Sequence, residues 1–403
     1  MLSIGNRREC FFDEYLIDTE RTTAEFKLHE PIRRECVLLH DESWEGDGCD
    51  FHNILKDGDL YRMYYLGWWM LEKGKGKDIC VCYAESRDGL TWVKPDLGLF
   101  EHEGSTHNNI ILDRKTHGIH IDNFMVFKDT HPDCREDERY KAVCQFARHR
   151  PYRPELVCYF SADGIRFRKG YAITDKGYFD SLNVAFYDAL AGKYRCYFRS
   201  FHDVPEGGEL NDGIRDIRYI ESDDFINWTE PVRVDFGDAE DIPLYTNVVS
   251  AYPYDRRYFV GFPSRYVERR EWTKNYDRLG GKAARKERFD VSPRYGLAVT
   301  DCVFMSSRDA YHWHRFDEAI ITPGPENGRN WVYGDCFPAC GELAVLPSAF
   351  ENEPEELSLY VFENHWMDVP TRLVRYSCRR EGFASVKAPY RKKNLRTKPF
   401  VFD

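Results

Sequence analysis

Five acidic residues each stand directly ahead of a short, largely apolar run. Asp50 precedes Phe51-His52-Asn53-Ile54-Leu55, and Asp122 precedes Asn123-Phe124-Met125-Val126-Phe127. Asp180 precedes Ser181-Leu182-Asn183-Val184-Ala185-Phe186, Asp241 precedes Ile242-Pro243-Leu244-Tyr245, and Asp335 precedes Cys336-Phe337-Pro338-Ala339. Once segment 267–292 is set aside, each acid lies at a similar distance from a phrase that recurs along the chain. A single Asp at a strand entry is most often a turn former. Five in register put carboxyls at one equivalent place in five units. Carboxyls gathered in a concave site raise one another's pKa. A protonated carboxyl facing an ionised one is the equipment of glycosidic bond cleavage.

The surroundings of these acids fit a sugar. Trp44, Trp68, Trp69, Tyr245, Trp331 and Trp366 offer flat apolar faces, and Arg199, His202 and Arg265 offer donors to hydroxyls or a carboxylate. Taken singly, each is an ordinary packing or surface residue. Their proximity in sequence to the acids gives them their interest.

The elements that must position these groups are set by the recurring phrase. Ser86-Arg87-Asp88-Gly89-Leu90-Thr91-Trp92 is answered by Ser161-Ala162-Asp163-Gly164-Ile165-Arg166-Phe167. Ser222-Asp223-Asp224-Phe225-Ile226-Asn227-Trp228, Ser307-Arg308-Asp309-Ala310-Tyr311-His312-Trp313 and a degraded Arg379-Arg380-Glu381-Gly382-Phe383 follow. Asp and Gly make a tight turn, and the ring that follows can pack back over it. Strand patterns fall between the acids and the phrases: Leu60–Tyr65, Arg139–Val143, Lys193–Phe198, Arg257–Phe262 and Leu357–Phe362. Five β-units without intervening helices predict an all-β, five-bladed propeller of four-stranded antiparallel blades. The expected blades are 36–100, 108–170, 175–235, 240–320 and 330–390, forming one domain. A strand-like Cys10–Ile17 precedes them. Residues 267–292, rich in Arg, Lys and Gly, read as an insertion in the fourth blade: a solvated loop, or a lid over the ring. The tail 384–403, with Lys398–Phe402, is a closing strand or the start of a further module.

Composition narrows the partners. The net charge of −11 argues against nucleic acid, because phosphate binding needs clustered Lys and Arg. No run of eighteen apolar residues spans a membrane. Thirteen cysteines without a CxxC pair read as packed thiols. No metal or other cofactor is expected. With no visible leader, the expected compartment is the cytoplasm. Oligomeric state is not legible.

These features meet in a resemblance. Phe11–Ile17, Tyr83–Gly98 with Asn108-Asn109-Ile110, Phe179–Phe186, Leu244–Asn247, Gly261–Tyr266, Trp331–Asp335 and Arg379–Ser385 are similar to five-bladed propeller glycosidases related to families 43, 32 and 130. They are most similar to a poorly characterised bacterial family-32-like group. The resemblance implies a glycoside hydrolase acting on small oligosaccharides or glycosides. Asp50 would be base or nucleophile, with Asp47 as its neighbour. Asp180, or Asp122, would stabilise the transition state. Glu240 would be the general acid, with Glu363 behind it. Asp122, Asp241, Asp335, Trp68, Tyr245, Arg265, Arg199 and Trp331 would line the substrate site. The Asn-Asp-Pro-Asn and Arg-Asp-Pro phrases of family 32 are absent, and the sequence stops where the C-terminal β-sandwich many relatives carry would begin. Two other readings share the ring. One is a glycoside phosphorylase with a phosphate pocket built from Arg199, His202 and Arg265; the other is a non-catalytic carbohydrate-binding propeller.

Overall fold

The recurring phrase folds the same way four times. In each copy one carboxylate oxygen of the Asp accepts the amides two and three residues on: Asp88 from Leu90 and Thr91, Asp163 from Ile165 and Arg166, Asp224 from Ile226 and Asn227, Asp309 from Tyr311 and His312. The third residue before the turn's end takes a positive φ, at Gly89, Gly164, Phe225 and Ala310. Indole N–H groups of Trp92, Trp228 and Trp313 donate to the carbonyls of Gly89, Phe225 and Ala310, folding the ring back over the turn.

Five sheets carry these turns. The computed structural model describes residues 1–70, 79–114, 121–149, 152–348, 352–388, 390 and 393–403. From the inside outward, blade 1 runs Asp50–Asp57, Leu60–Trp68, Ile79–Ser86 and Ile110–Asp113, and Cys340–Gly341 adds in parallel beside its inner strand. Blade 2 runs Asp122–Lys128, Tyr140–His149, Tyr152–Ser161 and Arg168–Thr174. Blade 3 runs Val184–Asp188, Lys193–His202, Ile214–Ser222 and Val232–Arg233. Blade 4 runs Ser250–Ala251, Phe259–Gly261 with Ser264–Val267, Val299–Ser307 and Trp313–Ile321. Blade 5 runs Ala344–Leu346, Glu356–Glu363, Thr371–Arg379 and Ile32–His40. The chain is therefore an all-β five-bladed propeller. Pro263, which lacks an amide donor, splits the expected Arg257–Phe262 strand from its continuation.

Three expectations change. Ile32–His40 is not the opening of blade 1; it pairs with Thr371–Arg379 and completes blade 5. Cys10–Ile17 forms turns instead of a strand, and its Phe12 is fully buried among Tyr252, Phe304 and Phe383. The tail enters no blade: Ala384–Lys387 pairs with Glu25–Leu28, and Phe400–Val401 with Leu2–Ser3.

Every joint between blades is bridged through a tyrosine hydroxyl. Tyr360 donates to Gly89, Tyr64 to Gly164, Tyr171 to Phe225 and Tyr197 to Ala310, at 2.7–3.0 Å. At the last joint Tyr252 accepts the Glu381 amide at 3.0 Å. In each case the neighbouring blade reaches a phrase turn, so the repeat that builds each blade also seats it against the next.

Candidate active site at the inner-strand entry face

Asp50 is the first residue of its inner strand and is 2% exposed. A register shift separates it from Asn53, and Phe51 between them has φ 48°. Blade 2 repeats this: register shifts between Asp122 and Met125, and Asn123 has φ 59°. In blade 5 Cys336, immediately after Asp335, has φ 60°. Left-handed backbone is rare in non-glycine residues, and such strain concentrates at functional sites. Three of the five acids are thus held by the same costly kink. The Asp122 side chain lies outside the described residues.

Asp50 Oδ2 lies 3.7 Å from His365 Nε2. Burial holds the His365 imidazole well below its usual pKa, with Arg288 adding to the shift. Asp180, which keeps about a third of its side-chain surface, ion-pairs with buried Arg199 on the next strand. The two acids are joined by a continuous path of rings. The Arg199 guanidinium lies 5.0 Å from the Tyr245 ring, and the Tyr245 and Tyr333 hydroxyls bond at 2.7 Å. Tyr333 stacks on Trp366 at 5.6 Å, and Trp366 lies 4.1 Å from His365. Trp68 packs edge-on against Trp366 at 5.3 Å.

The insertion covers this face. It holds helix α1 (Lys282–Val291) and leads directly into α2 (Pro293–Leu297), so the lid expectation fits it better than a solvated loop. Arg288 of α1 is fully buried and donates to the carbonyls of His365, Trp366 and Tyr333. Desolvation lowers its pKa to about 10. Arg285 donates to the Gly296 and Trp331 carbonyls at 3.0 and 2.9 Å. Tyr295 of α2 packs on Trp366 at 4.7 Å.

Asp335 lies in a cleft of about 340 Å³ shared with Glu363, Arg33 and Arg372. Its Oδ2 accepts the Val332 amide at 2.9 Å. Burial nevertheless pushes the carboxyl up to about 7, against the lowering influence of that amide and of Arg288. Glu363 has the opposite setting. Arg33 and Arg372 both bind it, holding its pKa below the usual carboxylate range despite burial, which unsuits it for proton donation near neutrality.

Five expected residues are held away from this face or at its rim: Glu240, Asp241, His202, Arg265 and Trp331. Glu240 is exposed on the outer connection, in a groove with Arg233, Tyr311 and Arg315, and its carbonyl accepts from Arg315. Asp241 is tied to Arg233 at 2.7 Å and to His202 at 2.6 Å. Both follow the outermost strand of blade 3, and the chain has not yet returned to the centre; Tyr245, not Asp241, leads toward the fourth inner strand. Arg265 binds Asp301, while its neighbour Tyr266 points the other way and stacks on Tyr245, as strand alternation requires. With His202 and Arg265 both held by carboxylates, the expected phosphate trio does not assemble. Trp331 is 38% exposed at the rim, where its carbonyl receives Arg285.

Sequence reasoning missed Arg215, Arg294, Tyr333 and His365. A signal existed for the last: His365-Trp366 follows the second strand of blade 5 as Trp68-Trp69 closes that of blade 1.

No family model and no curated protein matches the chain. Solved structures do. A thermostable family-43 glycoside hydrolase is 14% identical, with a TM-score of 0.51 over 86% of this chain and 95% of that one. An N-acetylgalactosamine deacetylase from F. plautii, in complex with blood group B trisaccharide, is 13% identical, with a TM-score of 0.50 over 89% and 95%. A structure described as a glycoside hydrolase is 11% identical, with a TM-score of 0.50 over 91% and 96%. At these identities the likeness is one of fold.

Proposed function

We propose that this propeller is a glycoside hydrolase working at the face where the inner strands begin, with Asp50, Asp180 and Asp335 as its carboxyl groups. The observation that carries the reading is the linked pair. Asp50 and Asp180 enter one face from the first and third blades and are joined through Arg199, Tyr245, Tyr333, Trp366 and His365. The fold of the family-43 structure is consistent with it.

Each carboxyl has a distinct surrounding, and each surrounding fits one task. Asp50, buried beside an imidazole kept neutral, is the base that activates water or the nucleophile that attacks the anomeric carbon. Asp180 presents a negative charge at the partly open mouth, where it stabilises the oxocarbenium-like transition state. The proton for the leaving oxygen comes from Asp335 in place of Glu240, because a carboxyl titrating at about 7 is still about half protonated at neutral pH. Trp68 and Tyr295 supply ring surface for the sugar.

The test is Asp50→Asn and Asp180→Asn on a panel of aryl glycosides. Each substitution is expected to lower kcat at least ~100-fold, the usual weight of such groups, with circular dichroism unchanged. Full activity in both variants would end the assignment.

A further inference from the structure

Blade 3 carries a second arginine that the chemistry above leaves unused. Arg199 and Arg215 lie on adjacent strands and are 3% and 7% exposed. Both guanidinium groups lie over the same two rings: 5.0 and 6.0 Å from Tyr245, 5.1 and 5.5 Å from Phe201. They are therefore neighbours. Arg215 also lies 4.1 Å from the Tyr266 ring. From the lid, Arg294 adds a third cation, 5.4 Å from the Tyr333 ring.

Few anions answer them. Asp180 pairs with Arg199, and Glu268 Oε2 stands 4.0 Å from Arg215 Nη1. The Nε groups of both arginines and the Tyr266 hydroxyl are buried without a hydrogen-bond partner among the described residues. Adjacent buried cations repel, and buried donors left unmade are costly. A planar oxyanion entering past Asp180 would relieve both costs, since the guanidinium fork matches a carboxylate.

We infer that the site selects a glycoside bearing a carboxylate, a uronide, and that Arg199 and Arg215 hold that carboxylate. This rests on the glycosidase reading and sharpens it.

Aryl uronides of both anomers are to be compared with the matching neutral aryl hexosides, with and without inorganic phosphate. Calorimetry with free galacturonate and galactose runs alongside. The uronide is expected to be turned over with kcat/KM at least ~10-fold above its neutral partner, about 1.4 kcal/mol of discrimination. Arg215→Met should bring the two close to parity, and Arg215→Lys, which keeps the charge but not the fork, should fall between. Equal turnover of both classes by the wild-type protein would overturn the inference and leave the glycosidase reading standing. So would turnover of neutral hexosides that depends on phosphate, which would assign the arginines to a co-substrate. Tight galacturonate binding with no glycoside cleaved would keep the carboxylate pocket and remove the glycosidase reading instead. The wild-type comparisons need no variant to fold.

Discussion

Asp335 is the residue whose environment does most to define the chemistry. Its ordinary carboxyl value is 3.8, and in the fold it is raised to about 7. The neutral form is thus favoured in the native state. Its contribution to stability is complete below about pH 4 and is lost as pH climbs through 7. Asp335→Asn keeps an oxygen for the Val332 amide and removes the charge. The variant should therefore gain more in melting temperature at pH 8 than at pH 5. If Asp335 is the acid, the same change should abolish the alkaline limb of kcat/KM near pH 7, and glycosides with poor leaving groups should suffer far more than nitrophenyl ones. A wild-type pH profile flat across 6–8 would remove the acid role. At this scale the sequence was readable where an acid opens an apolar run that becomes an inner strand, as at Asp50 and Asp180. It misled at Glu240 and Asp241. There Ile242-Pro243-Leu244 looks like a strand start but is a crossing from the outer edge. Arg215 and Arg294 were invisible, because nothing local says which face of a strand or lid meets the centre.

Among the elements, the lid is anchored by guanidinium-to-carbonyl bonds rather than by apolar packing alone. Its first helix is preceded by Gly281, whose φ is 63°, and a Cβ there would sit 1.8 Å from the Gly328 carbonyl oxygen. Ala at this position is both strained and obstructed, so Gly281→Ala should loosen α1 from the loop beneath it. The expected result is faster tryptic cleavage within 268–298 and a raised KM, with the far-UV spectrum of the ring preserved. An unchanged digestion pattern would show that the lid is held elsewhere. The blades were legible because the Asp-Gly-type turn leaves a pattern in sequence. The lid helices were not, because a polar stretch such as Lys282-Ala283-Ala284-Arg285-Lys286-Glu287 folds only once its arginines find carbonyls in blade 5.

The whole molecule is held as a ring by its five tyrosine bridges. Removing one of the four donor hydroxyls leaves a turn carbonyl without its partner and should cost about 1 kcal/mol. Tyr64→Phe and Tyr197→Phe act at separate joints, so their costs should add within about 0.5 kcal/mol in denaturant melts. Strong non-additivity would mean that strain at one joint is passed around the ring. The five-unit plan was readable from the repeat. Its closure was not, because the pairing of Ile32–His40 with Thr371–Arg379 joins opposite ends of the chain and no local pattern records it.

That pairing has a consequence for how the protein is made. Ile32–His40 emerges from the ribosome long before Thr371–Arg379. Until that partner is made, Val37 and Leu38 have no sheet to join, and the nascent chain carries an unpaired edge open to other chains. Closure of blade 5 must wait until Thr371–Arg379 has been released. Chains that terminate prematurely should accumulate as chaperone-bound or insoluble material rather than as smaller rings.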